Sequence, residues 1–349
     1  MDELDHIAAR VVERGGPWTI ELYPTLACNL DCRFCDTAPR HVKPVNELDE
    51  AQWLRIVDEA ADLGARRAMV LGGGEPLLSP HAPALLRRIK ARGLSGMLTT
   101  NGTLLTAPLR ALLLEIGWDE VHLSVDGARA RTHDGLRGRP GAFRRTVSHA
   151  CRLRAERDHR GLSAPRIVIH SVLTRCNVDE LAELARLAAA VGAERVELDA
   201  LVAYRPEQVA LQLGPAERAR LPERVAEGVA ASREVGVATN YARFVDGHVT
   251  ERGQHAPRGG PGEGFRAAPC LKPFHHLAIT ADGHLSPCCV LAGEGESIRD
   301  KPLAEAWASS PYLSRLREGM LCGVATGRCA ECSENILVHE RAIRARISA

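Results

Sequence analysis

The spacing of apolar positions changes period repeatedly along the chain. Over residues 4–12, Leu4, Ile7, Ala8 and Val11 recur at helical spacing, and Gly15-Gly16 follow; this predicts a short amphipathic helix. Residues 18–23 alternate apolar and polar side chains and are rich in aromatic and β-branched types, which predicts a strand. Strand and helix signals then alternate. Strands are predicted at 67–71, 96–100, 120–125, 166–173 and 194–201. Helices are predicted at 49–63, 80–92, 106–116, 142–158, 179–191 and 215–234, several of them ended by a glycine such as Gly64, Gly93, Gly117 or Gly192. The polar, Arg- and Gly-rich stretch 128–141 reads as a loop, and 237–241 is strand-like.

Six strands, each followed by a helix, predict a parallel sheet covered by helices. Repeats of this length fit an α/β fold, a partial (β/α)6 TIM-like barrel. The pattern divides the chain into an N-terminal helix (1–16), the barrel (17–235) and a Gly- and Pro-rich linker (236–269). A small C-terminal α+β region (270–349) completes it. In that region 274–279 and 283–287 read as a hairpin turning at Ala281-Asp282-Gly283, and helices are expected at 302–318 and 333–347. The distinctive residue clusters fall just after the strands, on the face where α/β barrels place their active sites.

Composition narrows the function classes. Hydrophobic residues at 45% and charged residues at 26% are ordinary for a globular protein. A net charge of +1 offers no excess of cations for phosphates, so a nucleic-acid partner is not expected. No uninterrupted apolar run reaches the roughly 20 residues that span a bilayer, and the start, Met1-Asp2-Glu3-Leu4-Asp5, is acidic. A cytoplasmic location, away from membranes, is expected. Eleven cysteines in a reducing compartment read as metal ligands rather than disulfides.

Three of them, Cys28, Cys32 and Cys35, lie within eight residues at spacing C-x3-C-x2-C. Thiolates are soft ligands that select iron–sulfur clusters, zinc or Cu(I). A [4Fe–4S] cluster normally takes four, so three with no nearby fourth would leave one iron open to a small molecule. A zinc knuckle is the other reading these thiolates leave open. The stretch, with Phe34 before the last cysteine, resembles the signature of the radical S-adenosylmethionine (radical SAM) family. That resemblance implies a [4Fe–4S] cluster whose open iron binds the amino and carboxylate groups of SAM. One electron from an external donor such as a flavodoxin or ferredoxin then releases a 5′-deoxyadenosyl radical. Gly72-Gly73-Gly74-Glu75-Pro76 follows the second strand and is similar to the family's GGEP motif. By that likeness Gly73, Gly74 and Glu75 contact the methionyl amino group, and Pro76 shapes the turn. Phe34 is expected near the adenine, or simply in the core. Asn101, Ser124 and Asp126 end the third and fourth strands. The resemblance places them near the ribose, carboxylate or substrate, and turn chemistry is their other reading.

The fifth and sixth strands carry His170, Ser171 and Asn177, then Glu197 and Asp199. The last two share one face at period two and are candidate proton acceptors. A satisfied buried histidine is the expected role of His170. The C-terminal region holds Cys270, Cys288, Cys289, Cys322, Cys329 and Cys332. It resembles the SPASM/twitch region that follows many radical SAM domains. The shorter twitch pattern implies a second [4Fe–4S] cluster on Cys270, Cys288, Cys329 and Cys332, with a structural zinc site as the alternative. Cys289 and Cys322 are left over, and Cys322 is a candidate hydrogen-atom donor. The twitch-like length favours a small polar metabolite as substrate, such as a sugar, aminocyclitol or nucleoside, with dehydrogenation, epimerisation or decarboxylation as outcomes. A maturase of a ribosomally made peptide and a non-catalytic zinc or iron–sulfur protein are the alternatives.

Overall fold

The structure is a computed structural model that describes residues 2–35, 45–203, 205–245, 270–324, 329 and 334–347. Most of the expected linker and Cys332 lie outside the described residues. In chain order the strands are β1 (Thr19–Leu22), β2 (Arg67–Val70), β3 (Ser95–Thr100), β4 (Glu120–Ser124), β5 (Arg166–Leu173), β6 (Arg195–Ala200), β7 (Ala238–Thr239), β8 (His276–Ile279) and β9 (Leu285–Ser286). Between them run α1 (Glu3–Glu13), α2 (Glu50–Asp62), α3 (Ala82–Ala91), α4 (Ala107–Glu115), α5 (Ala130–Arg137), α6 (Ala142–His159), α7 (Leu181–Val191), α8 (Pro206–Val209) and α9 (Pro215–Val235). Helices Leu303–Ser309, Pro311–Leu321 and Glu334–Ile347 close the chain. The alternation of strand and helix expected from the sequence is present.

Two compact units divide the chain. One comprises 1–26, 43–96 and 257–349, the other 27–42 and 97–256. In the first, the strand order is β2-β1-β8-β9, with β1 parallel to both β2 and β8 and β9 antiparallel to β8. The helices begin where capping chemistry dictates. Asp2 and Asp49 each accept the backbone N–H three residues on, and Asp5 and Gln52 return the contact. Helix α1 packs on Glu334–Ile347, where Arg346 pairs with Asp2 at 2.6 Å and Asp5 at 3.0 Å. Beneath them Ile7, Ala8, Leu271, Phe274, Leu316, Met320 and Ile343 form one apolar cluster.

In the second unit β3-β4-β5-β6-β7 are all parallel. One face of β4–β6 carries Val121, Leu123, Ile167, Ile169, Val196 and Leu198, all buried. Cross-strand partners share a face, so the register Ser124↔His170↔Glu197 and Val172↔Asp199 puts the polar residues together on the other.

Several elements differ from expectation. The stretch 128–141, read as a loop, contains helix α5. Its His133, Leu136 and Arg137 are spaced i, i+3, i+4 and buried on one face, and Gly138 ends it at φ 66°. The helix expected over 302–318 is two helices. Pro311 starts the second at its first turn, and the Ser310 hydroxyl accepts Leu313 N–H at 3.1 Å. The strand-like 237–241 shortens to Ala238–Thr239, because Tyr241–Phe244 turns into a 3₁₀ helix that buries Tyr241.

Candidate active site

The cysteine loop lies in the second unit and is fixed at three places. Asp31 N–H donates to Arg137 O at 3.1 Å and Arg33 N–H to Leu136 O at 2.9 Å, so the end of α5 runs alongside the loop. A Cβ at Gly138 would lie 2.1 Å from Asp31 O, an approach only glycine permits. Further on, Cys35 O accepts from Arg205 Nη2 at 2.6 Å and from the buried Gln208 Nε2 at 3.2 Å. At the start of the loop, Asn101 Nδ2 donates to Asn29 Oδ1 at 2.9 Å and Asn29 Nδ2 to Thr103 Oγ1 at 2.8 Å. Asn101 Oδ1 in turn accepts Thr103 N–H at 2.9 Å.

Within the loop, Cys35 N–H donates to Cys32 O at 3.1 Å, a tight turn between two of the thiols. Leu30 N–H points at Cys28 Sγ, 3.5 Å away. Burial pushes the Cys32 thiol up to about 11, although the Arg137 charge opposes it. Arg137 Nη1 donates to Cys32 Sγ at 3.6 Å, and the guanidinium lies 5.3 Å from the centre of the Phe34 ring. Phe34 packs with Leu136, Leu201 and Leu211. Asp126 is fully buried. It pairs with Arg137 and accepts Val172 N–H at 2.8 Å. Its own N–H donates to His133 Nδ1 at 3.3 Å, and burial, then the Arg137 charge, hold that imidazole neutral down to about 4. Ser124 is buried at the end of β4. Asn177 donates to Asp126 O and Val172 O, each at 2.9 Å, which ties down the turn after β5.

Residues 72–76 belong to the first unit. A Cβ on Gly72 would lie 1.7 Å from Gly74 O, and one on Gly73 would meet only the Leu26 side chain. Gly74 N–H donates to Thr25 O at 3.1 Å. Glu75 is buried and caps the 3₁₀ turn Pro76–Leu78 by accepting Leu77 N–H at 3.2 Å. The chain here presents bare backbone and one buried carboxylate, suited to polar ligand atoms at close approach.

The polar face of β4–β6 is layered. Near the strand starts, Glu120 takes Arg195 at 2.6 Å, Arg166 at 2.9 Å and His122. Burial would raise the Glu120 carboxyl, but the His122 hydrogen bond and Arg195 outweigh it and pull it down to about 2. Arg195 also reaches Glu197 at 2.7 Å, which commits that carboxylate to a cation. At the strand ends, His170 Nε2 meets Asp199 Oδ2 at 2.8 Å. Burial works against a charged His170, yet the Asp199 contact prevails and its pKa is raised; Asp199 is correspondingly held below its usual range. Ser171 lies on the opposite, apolar face, in register with Leu198.

In the C-terminal region Cys270, Cys288 and Cys329 are buried in the same apolar cluster. Lys272 N–H donates to Cys270 Sγ at 3.4 Å. Burial favours the neutral Lys272 amine, but the neighbouring Cys289, Glu21, Glu340 and Cys288 groups outweigh it and its pKa is raised. Cys289 and Cys322 are exposed, the latter at the end of Pro311–Leu321. Glu21 Oε2 meets His276 Nε2 at 2.8 Å, and Glu21 Oε1 accepts the Tyr23 hydroxyl. Burial and Lys272 keep His276 neutral down to about 4.

Among the described residues no three His, Cys, Asp or Glu side chains are gathered as the ligands of one metal ion would be. The donors are the cysteines of a loop with a buried cation against one sulfur, and a second group of cysteines beside Lys272. Both fit iron–sulfur clusters, whose net charge is negative with three or four thiolates. Sequence reasoning missed Arg137, His133 and Gln208. The His133–Leu136–Arg137 spacing was the available signal, obscured by Gly135 and the density of arginines.

Residues 22–185 match the model of the radical SAM superfamily, and 270–333 match that of an iron–sulfur cluster-binding domain, SPASM. By these two matches the chain carries a radical SAM domain followed by a SPASM region. Members use SAM with a [4Fe–4S] cluster, and the SPASM region adds auxiliary iron–sulfur binding. The chain is 28% identical over 317 residues to an AdoMet-dependent heme synthase of Methanosarcina barkeri, covering 88% of each. It is 29% identical over 300 residues to a PqqA peptide cyclase of Methylocella silvestris, covering 84% of this chain and 74% of that protein. Streptococcus suis SuiB, solved with its precursor peptide SuiA, shares the fold. The TM-score is 0.67 at 18% identity, over 89% of this chain and 70% of that one. The parallel α/β architecture is thus that of the partial TIM barrel of radical SAM/SPASM enzymes. Among the described residues no helix is long and apolar enough to cross a membrane.

Proposed function

We propose that this radical SAM enzyme modifies a ribosomally made peptide by removing hydrogen from it, in place of the sugar, aminocyclitol or nucleoside substrate that its short C-terminal region suggests. The observation that carries the reading is its likeness to PqqA peptide cyclases over 84% of the chain. The polar face of β4–β6 supports it, because carboxylate and imidazole groups suit an extended peptide rich in N–H and C=O groups.

Cys28, Cys32 and Cys35 would hold the first cluster, and Cys270, Cys288, Cys329 and Cys332 the second. SAM bound at the first would supply a carbon radical that takes one hydrogen atom, and the second cluster would accept the electron that leaves as the substrate gives up a proton. This chain's own residues bind and position the parts. Gly73, Gly74 and Glu75 offer backbone and carboxylate to the methionyl amino group. Asn101 holds the cysteine loop through Asn29. Asp126 anchors Arg137, and Ser124 adds a hydroxyl at the end of β4. Asp199 is the stronger candidate for accepting a substrate proton, since its partner His170 is an imidazole that can itself take up and pass on a proton, whereas Glu197 is held by the permanent charge of Arg195. Phe34 would lie near the adenine, Pro76 shapes its own glycine-rich turn, and Cys322 is a lesser candidate as a hydrogen donor.

A second reading, a tetrapyrrole substrate, follows from the likeness to the heme synthase across 88% of both chains. One experiment separates the two. The anaerobically reconstituted protein is incubated with SAM, dithionite and either any short peptide encoded beside its gene or a porphyrin, and the products are weighed by mass spectrometry. Loss of two hydrogens from a peptide, with 5′-deoxyadenosine, is expected. A change in mass of the porphyrin with every peptide unchanged refutes the peptide reading.

A further inference from the structure

Arg137 has no role in the motifs that identify the family, yet three observations converge on it. Its guanidinium donates to Cys32 Sγ at 3.6 Å and lies over the Phe34 ring at 5.3 Å. It is buried and paired with Asp126, itself fully inaccessible to solvent. Its backbone carbonyl holds Asp31 of the same loop at 3.1 Å. A cation hydrogen-bonded to a sulfur ligand in a site of low dielectric stabilises added negative charge on that site, and its effect is not screened as a surface charge would be.

We propose that Arg137 is a positioning residue that sets the reduction potential of the Cys28–Cys32–Cys35 site, with Asp126 as the counter-charge that limits it. On reduction the site gains one electron from the external donor and no proton, so its negative charge rises by one. The Arg137 guanidinium favours that state and Asp126 opposes it. Hydrogen bonds to cluster sulfurs and net charge are among the factors that set such potentials. The Asp126–Arg137 pair also explains why a fully buried carboxylate stands at the end of β4, behind the cysteine loop. This inference rests on the reading of the three cysteines as cluster ligands.

The test is a dithionite titration of the reconstituted full-length protein followed by electron paramagnetic resonance. The signal that changes on adding SAM reports the first site. Arg137→Met is expected to lower the ratio of reduced to oxidised site about tenfold at a fixed poise, about 59 mV for one electron. Arg137→Lys should recover most of that loss. Asp126→Asn should move the ratio the opposite way, which a purely structural role does not produce. If Arg137→Met fails to retain iron, Asp126→Asn decides alone: an unmoved or lowered ratio overturns the proposal. A wild-type protein with no SAM-responsive signal instead refutes the cluster reading itself, and the proposal with it.

Discussion

His170 and Asp199 form a pair whose worth depends on pH in a direction the structure fixes. The His170 pKa is raised above its ordinary 6.5, so its contribution to stability is complete below that value and is lost as pH rises through the native one. The Asp199 pKa is depressed below 3.8, so its contribution is present above that value and is lost as pH falls. Urea unfolding of Asp199→Asn against wild type should therefore show a larger loss near about pH 6 than near about pH 9. Equal losses at the two pH values would remove the pair from the account. The same substitution tests the proposed proton acceptor, since 5′-deoxyadenosine should still form while product falls by about 10²-fold or more.

Helix α5 acts at the next scale, as the element that holds the cysteine loop. Its last turn supplies two carbonyls to the loop, and Gly138 gives it room at φ 66°. Gly138→Ala adds a Cβ 2.1 Å from Asp31 O and strains a left-handed residue by roughly 1–2 kcal/mol. The variant should fold, with a lower melting temperature, and retain less iron after anaerobic reconstitution than wild type, measured by iron and sulfide assay. A milder case is the break between Leu303–Ser309 and Pro311–Leu321. Ser310→Ala removes the hydroxyl that accepts Leu313 N–H and should cost about 1 kcal/mol in urea unfolding. The segment holding α5 was misread because its polar surface hides a narrow buried face of three residues, too short for periodicity to register.

For the whole molecule, two thiolate groups imply about eight irons per chain from two four-iron clusters. Replacing Cys28, Cys32 and Cys35 by Ala should abolish SAM cleavage and remove about half of that iron. Replacing Cys329 and Cys332 should spare some SAM cleavage while removing the other half. Zinc in place of iron in anaerobically purified protein would refute the two-cluster reading.

The sequence by itself determined the alternation of strand and helix, the radical SAM cysteine signature, the glycine-rich turn after β2 and the cysteines of the C-terminal region. These are local: periodicity, capping and ligand spacing are written over a few neighbouring residues. Tertiary structure alone decided that β8, some 250 residues after β1 in sequence, runs parallel beside it and brings His276 to Glu21. It alone put Arg137 between Asp126 and Cys32, and brought His122 and His170 to the sheet face that Glu197 and Asp199 share. Each of those depends on strand register and on burial between segments far apart in the chain, and short-range patterning carries neither.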